Sequence, residues 1–321
     1  MKQPVAIVGA GVSGLTCGII FAERGYRSAI FAQEIGQRTT SGAAGALWFP
    51  YDAEPVDKVI AWALETYRVV IDLGRDSHTG VSMLELRSFS RTGEIPIPDW
   101  AGPLGARMLS EVKASFTSCA SVFKSGFTLN VPLMDTTIYL DYLAKRFVAA
   151  GGSIQGNVHF ERLEDVDREF DLVINCSGIG AKMLAADVDL EPHRGQVAIV
   201  SKIDNLSCAI VCDDAPLMYA IPRTNDCVFG GTNEVSDNWD VDPRSASRIV
   251  AECSRVLNIK KPPVLADRVG LRPFRKSGVR LEAEKLRDGR TVLQNYGHGG
   301  SGFTLSWGCA NNVFQLAQDV R

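Results

Sequence analysis

Glycines 9, 11 and 14 follow the apolar run Val5-Ala6-Ile7-Val8 and surround Ala10, Val12 and Ser13 ahead of Leu15. The spacing is G-x-G-x-x-G at a strand-to-helix turn, where each glycine has a mechanical use. Gly9 makes the tight turn, Gly11 lets the backbone approach a pyrophosphate, and Gly14 lets helix and strand pack closely. Val12 and Ser13 open the helix, so its N-terminal N–H groups point at the anion. A turn of this kind serves a dinucleotide, and with it redox chemistry that side chains do not perform alone. Glycine-rich βα turns also occur without a ligand, so context decides. The helix continues through Leu15, Cys17, Ile19, Ile20 and Phe21, and Gly25 closes it before a second strand.

That second strand is expected over Ser28 to Ala32, and a dinucleotide fold offers a ribose-binding acid at its end; Gln33 and Glu34 stand there. The following run from Arg38 to Ala46, with Thr39, Thr40, Ser41 and Gly45, is small, hydroxylated and glycine-rich, as a loop approaching a ligand must be; the other reading is a flexible linker. A second glycine-rich loop spans Tyr296 to Gly302, and Phe303 to Val320 behind it has helical apolar spacing.

The elements between these loops must position them. Val59, Ile60, Ala63, Tyr67, Val70 and Ile71 recur at helical spacing and predict an amphipathic helix from Val56 to Leu73. Val81 to Leu86 reads as a strand, followed by a proline-bearing loop around residues 95–98. Leu140, Leu143, Phe147 and Val148 predict another helix, ended by Gly151-Gly152, and Asp171 to Gly178 reads as a buried strand running into a glycine turn. A β-rich stretch comes next, over Gln196 to Val200, Tyr219 to Pro222 and Val228 to Gly231. The expected class is therefore α/β: a discontinuous Rossmann-type domain from residues 1–45, 134–190 and 281–321, with an inserted, mostly antiparallel sheet domain from 46–133 and 191–280.

Composition narrows the function classes. The chain has 321 residues, 45% hydrophobic and 22% charged, enough for two domains or one large α/β unit with a sizeable core. A net charge of -3 gives no reason to expect nucleic acid or an anionic membrane. The eight cysteines include no CxxC pair, and Cys17, Cys176 and Cys309 sit in apolar runs, so buried free thiols in a reducing compartment are expected, without a metal site; Cys208 and Cys212, the closest pair, leave a loop disulfide or metal site as the alternative. No charged-then-apolar leader precedes Val5, no apolar run reaches the roughly 18 residues of a membrane span, and the chain does not end in Ser-Lys-Leu, which together point to the cytoplasm.

Three separated stretches resemble the D-amino-acid oxidase family of flavoproteins: Val8 to Gly14, Thr39 to Tyr51, and Val269-Gly270-Leu271-Arg272-Pro273 together with Asn295-Tyr296-Gly297-His298-Gly299-Gly300, then Thr304, Trp307 and Gly308. With the segments around Asp171 and Tyr219 in the expected order, the resemblance covers nearly the whole chain. It implies FAD and the oxidative deamination of D-amino acids to 2-oxo acids, ammonia and hydrogen peroxide, by hydride transfer from Cα to flavin N5 without a side-chain base. The partners it implies are the small-molecule D-amino acid and dioxygen, with a homodimer left open.

Carried over by position, Arg272 resembles the arginine that pairs with the substrate carboxylate, a match a planar guanidinium fork makes bidentately. Tyr219 resembles the tyrosine that assists it, and Gly300 the glycine whose carbonyl receives the substrate amine. For the cofactor, the resemblance implies Gly9, Gly11, Val12, Ser13, Gly14, Gln33, Glu34, Thr39, Thr40, Ser41, Gly45, Ala46, Leu47, Phe160, Ser177, Gly178 and the last loop, Gly297, Gly299, Gly300, Ser301, Gly302, Phe303 and Thr304. Phe49, Tyr51, Tyr219, Arg272, Gly300 and Ser301 are the implied substrate pocket, although the three aromatics Trp48, Phe49 and Tyr51 could equally line a pocket or fill the core. His298 reads as a structural histidine bonded to backbone before a catalytic one.

Departures from the family pattern matter too. Gln33 stands where some members carry an acid. The segment Cys212 to Met218 lacks the second tyrosine of animal members and the extra arginine of D-aspartate oxidases. Neutral D-amino acids are therefore expected over D-aspartate, with Leu47, Phe49, Leu217 and Met218 leaning toward an apolar pocket. Asp213 and Asp214 leave a basic side chain as an alternative. A glycine or sarcosine-type amine oxidase is the nearest rival; a nicotinamide dehydrogenase has no use for the second glycine loop, nor a flavin-binding module without turnover for a carboxylate clamp.

Overall fold

The computed structural model describes residues 3–51, 53–110 and 123–320. The first unit reads β1 (Val5–Ala10), α1 (Val12–Glu23), β2 (Ser28–Ile35), α2 (Val56–Leu73), then β3 (Val81–Ser90), β4 (Arg107–Met108) and β5 (Ser125–Met134). The chain continues as α3 (Thr136–Ala149), β6 (Ser153–Gln155), β7 (Leu172–Asn175), α4 (Ala181–Leu184), β8 (Leu190–Ser201), β9 (Cys208–Cys212), β10 (Met218–Pro222), β11 (Asp226–Gly230) and β12 (Glu234–Val235). Last come α5 (Pro243–Leu257), β13 (Val264–Arg275), β14 (Arg280–Lys285), β15 (Thr291–Tyr296) and α6 (Gly302–Asp319).

These strands form two sheets. One has the order β14-β15-β7-β1-β2-β6, parallel from β15 to β6 with β14 added antiparallel at the edge. Its central strand β1 is covered on both faces, and Val5, Ala6 and Ile7 have no exposed surface, which is why it reads as an unbroken apolar run. The other sheet has the order β12-β8-β11-β10-β9-β3-β5-β4, with β13 also on β8; every pairing is antiparallel except β3 with β9. A mixed α/β fold with a parallel nucleotide-type sheet and a separate, largely antiparallel sheet is thus what the chain builds.

The differences from expectation have local causes. β2 continues to Ile35 and β3 to Ser90, because backbone pairing outlasts the alternation of side chains that marks a strand in sequence. α5 carries little apolar sequence, but Pro243 stands in its first turn and the Asp242 carboxylate caps the N–H groups of Arg244 and Ser245. The seven cysteines among the described residues are free and buried, Cys208 and Cys212 included; Cys119 lies outside them, as do residues 111–122 of the expected 46–133 segment. Among the described residues no cluster could hold a metal and no helix is long and apolar enough to cross a membrane.

Three contacts tie the segments that follow strands of the first sheet to the second sheet and so shape the site. Thr40 donates to the Leu271 carbonyl at 3.3 Å, a bridge joins Leu47 to Leu133, and another joins Phe274 to His298. α6 is pressed onto α2 at Gly308, where a Cβ would lie 2.3 Å from the Trp62 carbonyl oxygen, and the Gly308 N–H reaches Thr66 Oγ1 at 3.0 Å. That contact fixes where α6 begins, which is at the site.

Candidate active site

A cavity of about 810 Å³ runs from the carboxyl ends of β1, β2 and β7 to the inner face of the second sheet. Open α/β sheets bind ligands at those ends, and the volume is near the top of the range for small-molecule sites. One end is built by the β1–α1 turn. Gly9 has φ +109°, and a Cβ on it would meet the Cys176 carbonyl oxygen at 2.4 Å; one on Gly14 would be 1.9 Å from the Gly9 carbonyl oxygen. Backbone thus comes as close as packing allows, and the cavity gains the space. α1 has Gly11 as its N-cap, with no side-chain cap and no acid in its first turn, while the Val12 N–H donates to Ser41 Oγ at 3.0 Å. α6 has Ser301 as its N-cap, also without a side-chain cap or an acid in the first turn, and Gly302 and Phe303 line the same cavity.

Two helix N-termini therefore present unneutralised positive ends to one elongated cavity. That donor set fits FAD, which brings a pyrophosphate to one end and a ring that becomes anionic on reduction to the other.

Most of the expected cofactor residues line the cavity: Gly9, Gly11, Val12, Ser13, Gln33, Glu34, Thr39, Thr40, Ser41, Gly45, Ala46, Leu47, Phe160, Ser177, Gly178, Gly299, Gly300, Gly302 and Phe303. Gly14, Gly297, Ser301 and Thr304 do not. Gly14 is a packing glycine, and Gly297, at φ +84°, turns the chain against Arg275. The hydroxyls of Ser301 and Thr304 are engaged elsewhere. Ser301 Oγ accepts from the Tyr51 N–H at 2.7 Å and donates to the Tyr51 carbonyl. Thr304 Oγ1 accepts from the Phe49 N–H at 3.1 Å and donates to the Phe49 carbonyl at 3.0 Å. These two residues are struts that hold the Phe49–Tyr51 segment against α6, and it is Phe49 and Tyr51 that face the cavity. Trp48 fills the core: it is fully buried, its Nε1 donates to the Ala63 carbonyl at 2.9 Å, and it packs on the rings of Tyr67 and Trp100.

The other end of the cavity carries Arg272 and Tyr219, on β13 and β10. Arg272 Nη1 donates to the Thr232 carbonyl at 3.1 Å and to Asn233 Oδ1 at 3.4 Å, and among the described residues it has no carboxylate partner. Its contrast is Arg223, whose Nε and Nη2 grip Asp226 at 2.6 and 2.9 Å. A cationic fork left without an acid in a cavity suits an anionic ligand. Burial raises the Tyr219 phenol above its ordinary value and the adjacent Arg272 pulls it partly back, so the hydroxyl stays protonated and can donate. Gly300 is exposed and lines the cavity; a Cβ there would lie 2.7 Å from Tyr51 Cδ1.

His298 lines the cavity but is 3% exposed, and its Nε2 pairs with Asn295 Oδ1 at 3.1 Å. The partner is a side chain where a backbone group was expected. The Asn295 amide in turn donates to Cys17 Sγ at 3.3 Å and Cys176 Sγ at 3.6 Å, and burial lowers the imidazole to about 4, so it is neutral. Of the two acids before Tyr219, Asp214 is occupied: its carboxylate accepts from Ser90 Oγ at 2.8 Å and from the N–H groups of Arg91 and Thr92 at 2.6 and 3.1 Å, bonds that hold it below the usual carboxylate range. Asp213 lines the cavity. So does Leu217, whereas Met218 is fully buried in the core behind the second sheet.

Sequence reasoning did not reach Gly195, Asn233 or Trp239, which also line the cavity. Gly195 and Asn233 belong to the surroundings of Arg272 and carry no local motif; Trp239 is an exposed loop tryptophan, which in sequence is a weak signal.

Comparisons with known proteins agree with this arrangement. The chain is 39% identical to the D-amino-acid oxidase of Streptomyces coelicolor, over 98% of this chain and 96% of that protein, and 37% identical to the D-amino-acid oxidase of Rubrobacter xylanophilus, over 97% and 94%. Glycine oxidase from Geobacillus kaustophilus shares the fold, with a TM-score of 0.81 at 16% identity over 99% of this chain and 95% of that one. The sequence model of the DAO family, described as FAD dependent oxidoreductase, matches residues 4–316, and the chain therefore belongs to that family of FAD-dependent oxidoreductases.

Proposed function

We propose that this protein is a D-amino-acid oxidase that takes neutral side chains in preference to acidic ones. The observation that carries the reading is Arg272, a guanidinium without a carboxylate partner among the described residues, beside Tyr219 in the cavity. Relatives of this identity and coverage that are named D-amino-acid oxidases support it.

In this reading Arg272 and Tyr219 fix the substrate carboxylate, and the Gly300 carbonyl, approachable because no side chain stands on it, orients the amine. With both ends held, only one enantiomer directs its α-hydrogen inward. When bound, FAD supplies the hydride acceptor and passes the electron pair to dioxygen, which leaves as hydrogen peroxide. The imino acid takes up water and yields the 2-oxo acid and ammonia. The chain supplies orientation rather than a proton acceptor; His298 is a neutral imidazole engaged with Asn295. We divide the chain into an FAD-binding part, 1–45, 134–190 and 281–321, and a substrate-binding part, 46–133 and 191–280. Buried free thiols fit a reducing compartment, and we place the enzyme in the cytoplasm.

The side-chain end supports neutral substrates: Leu47, Phe49, Leu86, Val197, Val211 and Leu217 are apolar. A second reading, basic substrates, rests on Asp213 alone, since Asp214 is occupied by the turn after β3. The test is to mix the FAD-loaded protein anaerobically with D- and L-amino acids and follow the visible absorption of the flavin. Bleaching by neutral D enantiomers is the expected result. Fastest bleaching by D-arginine or D-lysine would shift the assignment to basic substrates, and bleaching by glycine or sarcosine alone to an amine oxidase. No bleaching by any of them would sink the oxidase reading.

A further inference from the structure

The two side chains of the clamp lie on bare backbone. Arg272 is paired with His193 across β13 and β8, and its head group lies over Gly195, two positions along β8, where a Cβ would stand 2.5 Å from Nη2 and 2.6 Å from both Cζ and Nη1. Real carbon contacts sit at about 3.5–4.0 Å, so a methyl group at 195 and the head group in its present place exclude each other. Gly195 is not among the glycines with positive φ, so its backbone conformation does not call for glycine; the seat of the guanidinium does. Tyr219 is treated the same way. It faces Gly230 across β10 and β11, where a Cβ would come 1.9 Å from Tyr219 Cζ, and a Cβ on Gly231 would come 2.8 Å from the hydroxyl oxygen. From the opposite face of the sheet the Cys253 thiol donates to the carbonyls of Tyr219 and Gly230, at 3.4 and 3.6 Å.

The hydrogen bonds of Arg272 complete the picture. Nη1 donates to the Thr232 carbonyl and to Asn233 Oδ1, and the guanidinium also hydrogen-bonds the Tyr219 side chain. The head is thus tethered through Nη1 and supported from beneath, with no carboxylate among the described residues bound to it. We infer that Gly195 is a positioning residue for substrate binding: it sets the height of the Arg272 head so that the guanidinium fork meets a carboxylate in the cavity, while Gly230 and Gly231 do the same for the Tyr219 hydroxyl. The inference rests on the reading of Arg272 and Tyr219 as the carboxylate clamp. A planar fork is demanding in this respect, because both bonds are lost together when the plane tilts.

The test is a double-mutant cycle on the FAD-loaded enzyme with Gly195→Ala, Arg272→Lys and the pair. Its readouts are the Kd of propionate, taken from the perturbation of the flavin spectrum, and KM and kcat for D-alanine. Gly195→Ala is expected to weaken propionate and raise KM by about tenfold or more with FAD retained, since the atoms it displaces are the far end of a flexible side chain; on the Arg272→Lys background, which lacks the planar fork, it should add less than about twofold. Equal effects on both backgrounds, or no effect on either, would overturn the positioning role while leaving the clamp in place. If Gly195→Ala alone does not fold, folding of the double variant supports the same contact, and failure of both makes Gly195 merely structural. Unchanged propionate binding in Arg272→Lys alone would remove the clamp reading and the positioning role with it, a result read without any change at 195.

Discussion

Both sheets of this protein use glycine to make room in the same cavity, but for different occupants. At the β1–α1 turn the glycines clear space for a cofactor, by letting backbone approach backbone: Gly14 against the Gly9 carbonyl and Gly9 against Cys176. On the second sheet Gly195, Gly230 and Gly231 clear space for the protein's own side chains, Arg272 and Tyr219. The first device shapes a ligand site by local chain geometry; the second shapes side-chain posture across strands. Changes in the first should therefore be read in stability and FAD retention, and changes in the second in substrate binding with FAD retained.

The sharpest break is Arg272→Leu. It removes the cation of the proposed clamp, and the expected loss is about 3–5 kcal/mol in kcat/KM, the scale of deleting one partner of a buried charge pair. FAD retention should be unchanged, as checked by the absorbance ratio of the purified protein. A variant as fast as wild type at equal substrate concentration would show that the second sheet has no clamp to seat.

His298, bridged to Phe274 on the second sheet, tests the loop between β15 and α6 through acid stability. Its imidazole is held near 4 in the folded protein and is ordinarily near 6.5, because burial disfavours the charged form. Below pH 6.5 the unfolded chain takes up a proton that the folded one refuses, so this contribution falls between pH 6.5 and about 4 and is level below that, a total on the order of 3 kcal/mol. Urea unfolding at pH 7, 5 and 4 should show the fall, and His298→Asn should flatten that part of it.

Tyr219→Phe sharpens the comparison on the substrate side alone. Loss of one hydroxyl donor to a charged ligand is expected to cost about 1.5–3 kcal/mol in propionate binding, with thermal stability close to wild type. Gly14→Ala is its counterpart on the cofactor side, and overpacking of this kind costs about 1–3 kcal/mol of stability. FAD should be lost on dilution, while the ratio of KM values among D-amino acids stays unchanged in the protein that remains loaded. A shift in that ratio would mean that the two devices are not separable.

The β1–α1 turn, the helix from Val56 to Leu73 and the α/β class were legible in sequence because their causes are local: a buried parallel strand must be apolar, an amphipathic helix repeats, and a tight turn needs glycine within a few residues of its partner. Arg272, Tyr219 and Gly300 were singled out through a resemblance rather than from their own spacing, and the roles of their neighbours were harder to reach. Ser301 and Thr304 look like ligands in a glycine-rich loop, yet their hydroxyls bind the backbone of Tyr51 and Phe49, some 250 residues away in the chain. Asp214 looks like a partner for a basic substrate and instead closes a turn at Ser90.

What the sequence determined by itself was the chemistry available to the protein: a dinucleotide turn and a second glycine loop opening a helix, with Arg272 marked out by the resemblance. Tertiary structure decided where each group points, and above all that Gly195 lies under Arg272 and Gly230 under Tyr219. Local patterns record the conformation of a few consecutive residues, whereas the seat of a side chain on another strand depends on register and sheet order, which no short stretch of sequence contains.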